Sequence, residues 1–333
     1  MRLHENKELF RQAVQFTSQQ MGIPEIYVEK DYWVTFILHA VFSSPIGTET
    51  VFKGGTSLLK CHGHINRFSE DVDLIALRKE GETDNKLKSK LKKISKVISD
   101  LLPEVEVADV TRKMGMTRKT AHSYAKEFDG NYGQVRDVII VEATWLGYFE
   151  PYTILPISSF IYDMMIKNGQ STLAQEYGLH PFEAKVLVTN RTFCEKIMSL
   201  VRFSYSSNPV NDLKKKIRHT YDLHQLLQDS EIEEFFESPR FDEMLLRVAK
   251  DDVKSFRNNN AWLAHHPSQA LMFSDLEKLW SEMKSTYNGG FKLLVFGENI
   301  ATDEQILSSL VKIKSRLDRI NWDITIPPSS QEE

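Results

Sequence analysis

The sequence predicts a mixed α/β fold, with a sheet flanked by helices, followed by an all-helical C-terminal domain. Three observations carry this expectation. Residues 135–144 are rich in β-branched side chains and read as the strongest strand of the chain. Residues 71–77 alternate, with Val72, Leu74 and Ala76 on one face and Asp71, Asp73 and Ile75 on the other. Beyond about residue 155, apolar side chains recur at helical spacing.

The elements follow in order. Residues 3–21 read as a helix that Gly22, Ile23 and Pro24 break. A second helix covers about 25–42, with Tyr27, Val34, Ile37, Leu38 and Val41 at helical spacing, and Ser43, Ser44 and Pro45 end it. Residues 48–53 read as a short strand entering Gly54-Gly55, after which 56–61 resume a helical pattern. An amphipathic helix comes next, its Leu87, Leu91, Ile94, Ile98 and Leu101 stepping by 4, 3, 4 and 3. Its polar face carries Lys86, Lys88, Lys90, Lys92, Lys93 and Lys96. Residues 105–110 read as a strand. The later helices are marked by Phe193, Ile197, Leu200 and Val201, then by Leu213, Ile217, Tyr221, His224 and Leu227, and by 244–248, 276–283 and 306–317. The polar tail 326–333, with Pro327-Pro328, is expected to fray. The expected division is 1–160 for the α/β domain with its N-terminal helices and 161–333 for the helical domain.

Composition narrows the function classes. At 333 residues, two domains are the fair expectation. A hydrophobic fraction of 41% with 26% charged residues excludes global disorder and a fibre. No apolar run approaches the ~20 residues that span a bilayer, so no membrane partner is expected. The first ten residues lack the apolar core of a signal peptide. Two cysteines, Cys61 and Cys194, exclude a disulfide framework and fit a reducing cytoplasm. The net charge of −4 excludes a chain basic all over, though not a local basic surface.

The chemistry concentrates in Phe52-Lys53-Gly54-Gly55-Thr56-Ser57, followed after 13 residues by Asp71-Val72-Asp73-Leu74. Two glycines that end a strand and open a helix let the backbone approach a ligand, and the helix N-terminus offers N–H groups to phosphate oxygens. Thr56 and Ser57 add hydroxyl donors. Asp71 and Asp73, two apart on a strand, send both carboxylates to one face. Two hard oxygen ligands suit Mg²⁺, which binds carboxylates together with substrate phosphates. A third carboxylate on an adjacent strand completes a two-metal site, with ions ~3.5–4 Å apart. Glu142 is the candidate, at the end of the best strand and on a face with Val138 and Ile140.

This Gly-Gly and Asp-x-Asp arrangement resembles the nucleotidyltransferase superfamily of the DNA polymerase β type. The wider context is similar to one branch. Glu29-Lys30-Asp31-Tyr32-Trp33-Val34, Lys53-Gly54-Gly55-Thr56-Ser57-Leu58, Arg67-Phe68-Ser69-Glu70-Asp71-Val72-Asp73-Leu74, Arg191-Thr192-Phe193-Cys194-Glu195-Lys196 and His219-Thr220-Tyr221-Asp222-Leu223 look like the AbiEii family. Those are nucleotidyltransferase-like toxins of abortive-infection and type IV toxin–antitoxin systems, related to the MenT toxins. Five elements in the family's order, from residue 29 to 223, make the resemblance specific.

The resemblance implies a nucleotidyltransferase-type mixed sheet and roles residue by residue. Gly54, Gly55, Thr56 and Ser57 cradle the NTP, with Arg67 and Ser69 lining the pocket. Asp71 and Asp73 hold Mg²⁺, and Glu142 joins them by pattern more than by motif. Lys196 neutralises charge on the phosphates. Asp222 orients Lys196 or the acceptor, and the helical domain thereby contributes to the active site. The implied acceptor is RNA, particularly tRNA, with a cognate antitoxin as a possible partner. The rival readings are transfer to a protein or small molecule, and an NTP-binding toxin without turnover. The intact Asp71, Asp73 and Lys196 weigh against the last.

Several features also have plain readings. Lys30 and Asp31 suit a buried ion pair fastening their helix at least as well as a ligand role. Cys61, His62 and His64 match no zinc spacing and read as loop residues. Asp222 sits four residues after Arg218, where a surface ion pair is the ordinary expectation. Between Lys86 and Lys119, ten Lys and Arg stand against four Asp and Glu. With Lys214, Lys215, Lys216 and Arg218 they suggest a basic wall around an acidic metal site, suited to RNA phosphates.

Overall fold

A mixed eight-stranded sheet organises the first of two compact units in the computed structural model. The described residues are all but 109, 132, 134, 147–150, 257–258, 298–299 and 327–333. The strands are β1 (Thr50–Lys53), β2 (Val72–Ala76), β3 (Glu104–Val105), β4 (Arg112–Met114), β5 (Thr117–His122), β6 (Ile139–Thr144), β7 (Tyr152–Ile157) and β8 (Phe182–Leu187). Their order is β3-β5-β6-β2-β1-β8-β7, with β4 also on β5. β2 runs parallel to β6 and β1 parallel to β8, while the other neighbours are antiparallel. The helices of this unit are α1 (Lys7–Met21), α2 (Glu25–Ser43), α3 (Gly54–Ser57), α4 (Asp84–Ser99), α5 (Phe160–Lys167) and α6 (Ser171–Glu176).

The sequence signals for α1 and α2 act as expected. The Asn6 side chain accepts from Leu9 N at 3.2 Å and caps α1, and Gly22 ends it in the left-handed conformation at φ 66°. α2 is apolar almost all round because it packs against α1, α4, α5 and β8. Three consecutive charges on it are nevertheless buried. Glu29 accepts from the N–H groups of Glu127 and Phe128 at 2.6 and 3.3 Å, and burial pushes its pKa up to about 7. Lys30 pairs with Glu70, and Asp31 pairs with Lys60 while accepting from Phe160 N at 2.8 Å. These pairs fasten α2 to the segment that leads into β2, so the charged motif at 29–31 is accounted for by anchorage.

Two sheet faces have different jobs. Val72 and Leu74 are buried on the face that α4 covers, where Arg118 Nε donates to Ser95 Oγ at 3.0 Å. Along α4, Leu87, Leu91, Ile94 and Ile98 form the buried stripe. Leu101 lies past the helix end and is exposed. Lys90 departs from the expected solvated face. It is buried and reaches Glu49 at 2.6 Å and Glu82.

The second unit is helical and centres on residues 188–295 with the C-terminal helix. Its helices are α7 (Thr189–Ser204), α8 (Pro209–Lys215), α9 (Ile217–Leu226), α10 (Ser230–Glu237), α11 (Pro239–Ser255), α12 (Leu271–Ser274), α13 (Leu276–Thr286) and α14 (Asp303–Leu317). α7 packs against α8, α9, α11 and α12, with Phe193, Ile197, Leu200 and Val201 buried as their spacing requires. Arg191, from the Arg-Thr-Phe-Cys-Glu-Lys stretch, is buried and ties α7 to Asp251 of α11 at 2.7 Å.

Three expectations need correction. The units divide between Leu187 and Val188 instead of near 160, because β8 lies beyond 160 and joins the sheet between β1 and β7. The strand expected over 105–110 ends at Val105, and a turn from Val107 O to Val110 N follows. The strand expected from 135 begins at Ile139. The end of the tail, from Pro327, lies outside the described residues. Among the described residues no helix is long and apolar enough to cross a membrane.

Candidate active site

Register brings a row of charges together on the sheet face opposite α4. Lys53 of β1 pairs with Asp73 of β2, Asp73 with Glu142 of β6, Glu142 with Lys119 of β5, and Lys119 with Arg112 of β4. Side chains paired in register stand on the same side of a sheet. Five adjacent strands therefore present a cation, two carboxylates and two cations in line. Asp71, two residues before Asp73, adds a third carboxylate at the start of β2.

The two glycines are required by this row. Gly54 has φ 84°, and a Cβ there would stand 2.1 Å from Asp73 Oδ2. A Cβ on Gly55 would meet Arg67 Nη2 at 2.9 Å and Ser69 Oγ at 3.0 Å. The turn thus lies directly against Asp73, Arg67 and Ser69, and the sequence-derived neighbours are brought together. Thr56 and Ser57 depart from their expected role as donors to a ligand. Both are fully buried. Thr56 Oγ1 donates to Asp71 O at 2.5 Å and lies 3.0 Å from Ser69 Oγ, while Ser57 Oγ donates to Gly54 O at 2.9 Å. Their hydroxyls brace the turn, leaving its backbone as the part able to meet a phosphate.

The electrostatics are those of a site short of positive charge. Burial, then Glu142 and Asp71, push the Asp73 carboxyl up to about 7, against the pull of Lys53 and Lys119. Lys119 Nζ donates to Glu142 Oε2 at 3.0 Å. Burial opposes the Lys119 ammonium, but Glu142 and the two aspartates outweigh it and hold its pKa above the ordinary value. Asp71 Oδ1 is buried with no hydrogen-bond partner. Crowded carboxylates and an orphaned oxygen are what a hard divalent cation satisfies, and an all-oxygen donor set fits Mg²⁺. Among the described residues no three such side chains are already gathered as a cation shell, and Glu142 is turned to Lys119.

In the second unit, Lys196 of α7 and Asp222 of α9 are brought together. Lys196 Nζ donates to Asp222 Oδ2 at 2.6 Å, and His219 Nδ1 is 3.5 Å from the same nitrogen. Both partners are buried, so Asp222 fixes Lys196.

The basic residues are more dispersed than expected. α4 and Arg118 lie on the face away from the carboxylates, so the α4 lysines are not part of a wall around them. Lys119 and Arg112 do extend the row. Sequence reasoning gave Lys53 no role and Lys119 only a general one, because cross-strand register is a non-local property. Cys61 and His62 occupy a helical turn ended by Gly63, where His62 lies 3.2 Å from Leu187 O, and they join no metal cluster among the described residues.

Comparison with solved structures finds a similar fold in MenT4, a nucleotidyltransferase toxin from Mycobacterium tuberculosis H37Rv. The TM-score is 0.55 at 17% identity, covering 93% of this chain and 90% of that one. No curated protein sequence matches. The family described as nucleotidyl transferase AbiEii toxin, type IV TA system, matches residues 37–303, a span that holds Gly54, Asp71, Asp73, Glu142, Lys196 and Asp222. The chain therefore belongs to the AbiEii family and is a nucleotidyltransferase toxin of the type IV toxin–antitoxin class, which uses an NTP and has a cognate antitoxin.

Proposed function

We propose that this protein transfers a nucleotide from an NTP to an RNA acceptor, in particular tRNA, in an Mg²⁺-dependent reaction in the cytoplasm. The observation that carries the reading is the Asp73–Glu142 pair beside the orphaned Asp71 oxygen and directly under the Gly54-Gly55 turn. Asp71, Asp73 and Glu142 would hold Mg²⁺, which when bound supplies charge to polarise the α-phosphate and stabilise the leaving oxygen.

The chain's own groups do the rest. The Gly54-Gly55 backbone receives the triphosphate, held in shape by Arg67, Ser69 and the inward hydroxyls of Thr56 and Ser57. An acceptor hydroxyl forms a bond to the α-phosphorus as the α–β bridging P–O bond breaks and pyrophosphate leaves with the electron pair. The hydroxyl proton passes to the Asp73 carboxylate, placed directly under the turn that receives the triphosphate. Lys53 and Lys119 limit the charge that accumulates. For Lys196, steadied by Asp222, the role of neutralising phosphate charge rests on the family resemblance and on their 2.6 Å ion pair.

RNA as acceptor is supported by Lys214, Lys215, Lys216 and Arg218, a basic run suited to phosphates. Two free cysteines, Cys61 and Cys194, suit a reducing compartment. The test is incubation with Mg²⁺, each α-labelled NTP in turn, total RNA and lysate protein. Label is expected in the tRNA fraction. Label confined to protein or to a small molecule would replace RNA with that acceptor, and NTP binding without transfer would contradict the reaction.

A further inference from the structure

One surface of the second unit combines exposed rings with cations outside the residues assigned above. It forms where α7 ends. Arg202 lies over Phe203 at 4.9 Å and over Phe256 at 4.2 Å, and Lys216 lies over Phe203 at 4.7 Å. One turn on, Tyr205 stacks on His265, with centroids 5.1 Å apart and planes 13° from parallel. Tyr205 is 37% exposed and His265 is exposed, so the stacked pair is not sealed by other side chains. Between Arg202 and His219, five Lys and Arg stand against the single acid Asp212.

The arrangement has a direction. Phe203 follows Lys196 by seven residues on α7, two helical turns or ~10.5 Å along the same face. On the neighbouring chain segment, Lys216 touches Phe203 while His219, three residues later, approaches Lys196 at 3.5 Å. Phe203 and Lys216 thus lie on the side of α7 that carries Lys196.

We propose that Tyr205 and His265 form a stacking platform for an unpaired base of single-stranded RNA, with Arg202 and Lys216 holding the adjoining phosphates. The physical case is that base stacking on aromatic rings is tolerant of sequence, whereas phosphate contacts alone do not distinguish single from double strands. Phe203 and Phe256 fix the two cations by cation–π contact. This rests on the RNA-acceptor reading and adds where, and in which form, the RNA is held.

The experiment is fluorescence anisotropy of the full chain with a short end-labelled single-stranded RNA and with its duplex. The platform predicts preference for the single strand. It predicts about tenfold weaker single-strand binding for Tyr205→Ala with His265→Ala, near wild-type binding for Tyr205→Phe, and duplex binding changed less than twofold. Lys216→Ala should flatten the salt dependence by about one unit of slope. Circular dichroism and the thermal midpoint identify any variant that has lost its fold, and Tyr205→Leu keeps bulk without the ring. If wild type labels RNA in the transfer assay but Tyr205→Leu and the double alanine bind single strands as wild type does, the platform is wrong and the acceptor reading stands. If wild type neither labels nor binds RNA, both fall.

Discussion

Asp73 and Glu142 stand opposite one another across the parallel β2/β6 pair, and Asp73 has its pKa pushed up to about 7 by burial and by that neighbour. Backbone register keeps the two residues neighbours, so their repulsion is relieved by side-chain rotation, as in the turn of Glu142 to Lys119, by protonation, or by a cation.

That repulsion makes stability depend on pH in a defined sense. A carboxyl whose folded pKa is raised keeps its proton in the native state after the unfolded chain has released it. Its contribution therefore weakens stability as pH rises from about 4 to about 7. Asp73→Asn removes the effect. Its thermal midpoint in metal-free buffer should exceed that of wild type by a few degrees at pH 8 and match it near pH 4. Adding Mg²⁺ at pH 8 should raise the wild-type midpoint and leave the variant's unchanged.

Gly54 carries the closest approach in the site. Gly54→Ala places a methyl 2.1 Å from Asp73 Oδ2 at φ 84°, so roughly 1–3 kcal/mol of stability should be lost together with activity. Adding Asp73→Ala should relieve the clash and recover part of the stability in a denaturant titration, because only the backbone strain remains. Full additivity of the two losses would show that the methyl does not meet Asp73.

Lys119 lowers the pKa of Asp73 and donates to Glu142 at 3.0 Å. Lys119→Met should therefore raise the pKa of Asp73 in the metal-free protein, read by NMR titration, and Lys119→Arg should restore it. An unshifted Asp73 in a folded Lys119→Met protein would separate Lys119 from the carboxylates.

Lys30 and Glu70 are a buried pair that fastens α2 beside β2. Lys30→Met leaves Glu70 uncompensated and should cost about 3–5 kcal/mol, with transfer lost only as folding is lost. The double variant with Glu70→Leu should recover most of that stability in urea unfolding.

How much of this was legible follows from what is local. The expected second helix, 25–42, is α2 at Glu25–Ser43, because its caps and apolar period are written in adjacent residues. The Gly54-Gly55 turn and the Asp71/Asp73 alternation were equally local. β4 and β5 were not found, since Arg112-Lys113-Met114 and Thr117–His122 are too polar to read as strands and owe their state to β6. The boundary between the units falls later than expected because β8, at Phe182–Leu187, belongs to the sheet. Lys53 and Lys119 gained their place only from register, and Thr56 and Ser57 lost theirs because a hydroxyl's direction is set by its packing.

Carboxylates under the Gly54-Gly55 turn are proposed to support transfer of a nucleotide and not of a terminal phosphate. A paired reaction with α-labelled and γ-labelled NTP, Mg²⁺ and tRNA decides this for wild type and Asp73→Asn. The expected result is α-label in tRNA, γ-label released as pyrophosphate, and both reduced at least about 1000-fold in Asp73→Asn. Gamma-label appearing in the acceptor, or transfer persisting in folded Asp73→Asn, would contradict it.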